Sequence, residues 1–232
     1  MSSNKTTARI AGLLYFSIAV FSGFAFFYRG SLIVPGDASA TAAKILASEW
    51  LFRISFLSDL IGQMCFILLG STLYVLLKPV DRTLASLMAI FVFVSVPITM
   101  LNMQNQLAVV LLLGGADYLK VFEPAQLNAL AMFFLNLLEQ GILIAQIFWG
   151  IWLFPLGILI YRSDFLPRIL GILLIIGCFG YIFGSLSGLL FSGSYLFSSI
   201  AQILTMISAV GELSFIFWLL IKGVNESKAN ST

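Results

Sequence analysis

Three carboxylates stand inside stretches otherwise made mostly of Leu, Ile, Phe and Val: Asp59, Glu139 and Glu212. Amides, hydroxyls and small residues recur beside them at helical spacing. One set is Ser55, Asp59, Gly62, Gln63 and Phe66. A second is Ser95, Thr99, Asn102 and Gln106, with Asn105 alongside. A third is Asn136, Glu139, Leu143, Gln146 and Gly150, and a fourth is Ser198, Gln202, Thr205, Ala209 and Glu212. Each set makes one stripe down one side of a helix. Such groups can carry a proton, hold a cation or receive the polar head of a ligand. Asp59 and Glu139 could in principle act as an acid and base pair. The chain has no histidine, no Ser-Lys pair, no HExxH and no GxSxG, so the reading leans against an enzyme, and no cofactor or metal is expected.

The surroundings of these residues are those of a membrane protein. Of the 232 residues, 60% are hydrophobic and 9% charged, and mean hydropathy is +1.06. A soluble domain carries about 25% charged residues. A spanning helix needs about 20 apolar residues. The apolar runs predict an all-α integral membrane protein, a six-transmembrane-helix bundle with spans near 10–28, 54–77, 84–113, 138–161, 169–190 and 197–221. Residues 1–232 read as a single membrane domain ending in a polar tail, 223–232. Net charge is +2, which leaves nucleic acid an unlikely partner.

The hairpin RSDFLPR, between two apolar segments, anchors the topology. Lys5, Arg9, Lys78, Arg82, Arg162, Arg168, Lys222 and Lys228 fall on one side, Arg29, Lys44, Arg53 and Lys120 on the other. The bias places both termini in the cytoplasm. In the first outer loop, Pro35-Gly36-Asp37 makes a turn, and Asp37 or Ser39 caps an amphipathic helix through Phe52 with Trp50 at headgroup depth. The long third span is expected to be tilted, kinked at Pro97 or extended past the outer surface. Ser192-Gly193-Ser194 is a short outer turn. Cys65 and Cys178 read as small apolar packing residues. Gly177, Gly180, Gly184 and Gly188 read as a close-packing face within the bundle, or as a homodimer contact through Gly180, Gly184 and Gly188.

The strings SLIVPGDASATAAKILASEWLFRISFLSDL, LYVLLKPVDR, GIWLFPLGILIYRSDFLPRILGILLIIGCFGYI and ELSFIFWLLIKGVN resemble the bacterial membrane family catalogued as domain of unknown function 4386. The resemblance runs from Arg9 to Asn225 and is most specific at RSDFLPRILG. It implies a compact bundle of about six spans in a bacterial cytoplasmic (inner) membrane, and brings no established activity, cofactor or catalytic residue.

Depth along the helices refines the expectation. At 1.5 Å per residue, Glu212 lies about 15 Å above Lys222, near mid-membrane, and Gln146 about 24 Å and Glu139 about 34 Å above Arg162. Asn102 and Gln106 lie about 27–33 Å above Leu84, and Asp59 within roughly 9 Å of the outer end of its span. Asp59, Gln63, Asn102, Gln106, Glu139, Gln146, Gln202 and Glu212 are therefore expected to line a polar pocket in the outer half, binding or sensing a small amphiphile or lipid. The alternatives are a small transporter coupled to protons or cations through Glu212, or an intramembrane enzyme or ligand-free accessory scaffold. Helix-to-helix hydrogen bonding is the competing role for the amides. Arg53 is a candidate ion-pair partner for Asp59 or Glu139. Glu212, with no cation on its own span within reach, must be protonated or paired elsewhere.

Overall fold

Proline, glycine and short polar caps divide the chain into helices near the expected spans, and three run beyond them: the first to Leu32 rather than 28, that of the second span from Glu49 rather than 54, and that of the fourth from Pro124 rather than 138. In the computed structural model, which describes residues 4–191 and 194–225, the described residues form α1 (Asn4–Leu32), α2 (Ala38–Ala47), α3 (Glu49–Leu77), α4 (Arg82–Leu113), α5 (Pro124–Ile151), α6 (Leu153–Arg162), α7 (Arg168–Leu190) and α8 (Tyr195–Ile221). A single 3-10 turn, Asp117–Leu119, precedes α5. The Ser192-Gly193 part of the expected outer turn, and residues 226–232 of the polar tail with Lys228, lie outside the described residues.

Six helical segments are long and apolar enough to cross a membrane, with α5 and α6 together counting as one. No more than 44% of any span's most apolar window is buried. Leu13, Phe27, Leu101, Phe179 and Ile203 are among the large apolar side chains left exposed, as lipid-facing surfaces require. The chain is an all-helical, multi-pass membrane protein.

The helix that follows the first span differs from expectation. It ends at Ala47, because the Ser48 hydroxyl turns back to the Lys44 carbonyl (2.9 Å) and the Ser48 N–H bonds Ile45 O at 3.1 Å. Trp50 belongs to α3 and is 72% exposed. At the other end of α2, Gly36 (φ 77°) makes the turn and the Asp37 carboxylate accepts from the Ala40 N–H at 2.8 Å. The break between α5 and α6 follows from Pro155. It has no N–H for the Ile151 carbonyl, and its ring crowds that same carbonyl.

Packing sorts the described residues into two compact units. One lies within Met1–Ser17, Met64–Pro97 and Leu143–Thr232, the other within Ile18–Gln63 and Ile98–Ile142. A unit boundary falls at Pro97, which α4 carries without a break in its helix. The second unit closes around Leu32, Ile45, Phe52, Val109, Val110, Ala131 and Leu135.

In the first unit α7 packs against α6 and α8. The contact with α6 is backbone on backbone: a Cβ on Gly157 would meet the Gly171 carbonyl at 2.6 Å, and one on Gly171 the Gly157 carbonyl at 2.5 Å. Gly177 and Gly180 lie against Ser208 of α8, whose hydroxyl donates to Gly177 O at 3.0 Å, and Gly188 lies against Leu143. The glycine face is thus used for close approach inside the chain. Both cysteines are free thiols.

The Gly157–Gly171 contact leaves no room for a methyl group. Gly157→Ala or Gly171→Ala should destabilise the protein by about 1–3 kcal/mol, read as a lowered Tm in detergent. Gly23→Ala, where nothing lies within 4 Å, should leave Tm unchanged or raise it. Equal behaviour of the three variants would contradict the close crossing.

Candidate functional site

In the second unit a charged side chain on α1 meets polar groups of α3 and α4. Arg29, 3% exposed, lies two helical turns after Ser22 on the same side of α1. Asp59 and Gln63 are one turn apart on α3, and Ser55 is one turn before them. Gln106 comes from α4 and is fully buried. Arg29 Nη1 donates to Gln106 Oε1 at 3.2 Å and stands 3.7 Å from Asp59 Oδ2. Ser22 Oγ and Gln63 Nε2 donate to Asp59 Oδ1 at 2.9 and 3.5 Å. Gln106 Nε2 bonds Phe52 O and Ser55 Oγ, both at 3.0 Å. Gly62 lets Ser22 approach, since a Cβ there would overlap its hydroxyl. Ser58 Oγ donates to Phe21 O at 2.8 Å and ties the same two helices again.

This centre is not saturated. Arg29 Nε and Gln63 Oε1 are buried without a hydrogen-bond partner among the described residues. One is a donor on a charged group, the other an acceptor on a neutral amide. In an apolar surrounding each unsatisfied group costs several kcal/mol.

Arg29 was expected as an outer-loop charge. It is instead inside α1, which runs on to Leu32. The expected pairing of Arg53 is also corrected: it pairs with Glu49 one turn away on α3, at 2.7 Å, and Arg29 holds Asp59. Glu49 and Arg53 are i and i+4 on one exposed face, the geometry that favours a local pair.

The other expected site residues are placed as follows. Asn102 donates to Leu138 O at 2.8 Å and accepts from Asn105 at 3.0 Å, with Gly141 directly against its amide. It joins α4 to α5. Glu139 is half-buried on α5 and has no hydrogen bond or ion pair among the described residues. Gln146, Gln202 and Glu212 belong to the first unit. Gln146 is half-buried. Gln202 is exposed in an open groove of about 520 Å³ between α7 and α8, beside Ser187, Ser198 and Thr205. Asp59, Gln63 and Gln106 are brought together; Asn102 and Glu139 are not part of that cluster.

Glu212 has two partners that sequence reasoning missed. Tyr15 Oη of α1 donates to Glu212 Oε2, and Tyr181 Oη of α7 donates to Oε1 at 2.8 Å. The Tyr15 ring packs against Trp152 (5.8 Å between centroids) and Phe215 (6.3 Å), and Trp152 against Phe66 (5.2 Å). No spacing marked either phenol, and Arg29 lies one residue past the last position of its expected span.

A family model described as a domain of unknown function (DUF4386) matches residues 10–223. An uncharacterized protein of Archaeoglobus fulgidus is 33% identical over 180 residues, covering 75% of this chain and 89% of that protein. No solved structure matches the chain.

Removing one charge of the buried pair strands the other. Asp59→Leu should cost about 3–5 kcal/mol, because it leaves the Arg29 guanidinium without its counter-charge. The double variant Arg29→Met with Asp59→Leu should recover part of that loss, with a coupling on the order of 1–3 kcal/mol. Unfolding in detergent micelles measures it. Strict additivity would mean that the two side chains do not act together.

Proposed function

We propose that this chain, which belongs to the family described as a domain of unknown function (DUF4386), is a membrane binding protein that holds the polar head of a small amphiphile at Arg29, Asp59, Gln63 and Gln106. The observation that carries this reading is the buried, unpartnered pair of Arg29 Nε and Gln63 Oε1 in the second unit. A ligand for them offers one acceptor to the guanidinium and one donor to the amide oxygen. Hydroxyl and amide head groups do both with few atoms. Asp59 balances the arginine charge, so the centre favours a neutral or zwitterionic head over a simple anion. The apolar part of such a ligand is at home beside the exposed Leu, Ile and Phe side chains of the spans.

The membrane in question is, on this reading, a prokaryotic cytoplasmic membrane with both chain ends inside. The support is the distribution of charge. With Arg29 withdrawn into α1, Lys44, Arg53 and Lys120 remain on the outer side, against Lys5, Arg9, Lys78, Arg82, Arg162, Arg168, Lys222 and Lys228 on the inner side.

Native mass spectrometry of the protein purified in a mild detergent tests the binding reading. The wild type should keep an amphiphile through delipidation, and Gln63→Leu and Arg29→Gln should each lower its occupancy at least tenfold, about 1.4 kcal/mol. Equal retention by all three proteins refutes the site. For orientation, single cysteines at Ser3 and Asp164 should be shielded from a membrane-impermeant thiol reagent in intact cells, and a cysteine at Asp117 should react.

A further inference from the structure

We infer that Glu212, Tyr15 and Tyr181 form a reversible proton-binding site within the first unit, separate in its residues from the amphiphile centre. The carboxylate sits within α8, ten residues before Lys222. Its hydrogen-bond partners are two phenols, each from a different helix. Among the described residues no Lys or Arg pairs with it. The titratable groups that face it are Tyr15 from α1 and Tyr181 from α7. Trp152, which precedes α6, and Phe215 of α8 pack on the Tyr15 ring, and Phe66 of α3 packs on Trp152. None of these three titrates.

The hydrogen-bond arithmetic makes this a two-state element. Ionised, Glu212 is an acceptor at both oxygens, and each oxygen receives one phenol O–H. This form satisfies every polar atom but leaves a negative charge in a span with no cation beside it. Taking one proton from the medium adds an O–H to one oxygen and removes the charge. That oxygen then donates, so its phenol must turn and accept, and the phenol's own hydrogen loses its partner against an aromatic wall. Each form is deficient in one respect, and neither is overwhelmingly preferred. Because the two phenols belong to α1 and α7, loading and unloading the proton changes how both helices are tied to α8.

Infrared difference spectroscopy on the full chain in lipid nanodiscs, stepped from acidic to alkaline buffer, tests this. The wild type should show a protonated-carboxyl band that disappears as pH rises, and Glu212→Gln should lose that band. Tyr15→Phe and Tyr181→Phe keep the rings but each remove one hydroxyl, and each should shift the band's frequency. The other acidic side chains give bands common to both proteins, so the band read is the one that Glu212→Gln removes. A purely structural Glu212 contributes no pH-dependent band. Identical titrating bands in the wild type and Glu212→Gln, or a band unmoved in both phenylalanine variants, overturn the proposal. The amphiphile test uses other residues and another readout, so either reading can fail alone.

Discussion

A polar atom inside hydrocarbon has no water to turn to, and every buried polar group here is arranged around that constraint. The backbone meets it by being helical. Side chains meet it in two ways. Hydroxyls on the spans mostly bond a carbonyl of their own preceding turn, as Ser17 does with Leu13, Ser71 with Ile67, Ser86 with Arg82 and Thr205 with Ala201. These residues are satisfied before any neighbour arrives and can face lipid cheaply. Charged and amide side chains cannot do this. Those that are bonded across helices meet a second helix, at the two polar centres and at Asn102.

The two centres solve the problem with different chemistry. Around Asp59 a cation, two amides and a serine hydroxyl share the work, and the sum of charge is zero. Around Glu212 the donors are neutral phenols, so hydrogen bonds are satisfied while charge is not. The first arrangement is electrostatically closed and has donor and acceptor capacity to spare. The second has its hydrogen bonds filled and its charge open. Those opposite deficits are why a ligand head is assigned to one and a proton to the other.

Much of the fold was legible because span length and composition are properties of contiguous residues. The six spans and the Asp37 cap follow from local chemistry. The grouping of Asp59, Gln63 and Gln106 was partly legible, since helical spacing puts the α3 pair on one face. Arg29 was not. Apolar composition stops at Tyr28, and α1 continues four residues further with Arg29 held by partners on α3 and α4, far away in sequence. Nor could spacing choose Tyr15 and Tyr181 among seven tyrosines, because an aromatic side chain fits lipid, core or polar site equally well until its hydroxyl has a partner.

The meeting of Gly157 with Gly171 has a mechanical meaning as well as a steric one. Each residue lies against the other's carbonyl, so both helices are notched at the same height and each notch holds the opposing main chain. Sliding α7 by one residue along α6 would bring Ile172 or Leu170 into the slot, where neither fits. Register and rotation of this hairpin are thereby fixed together.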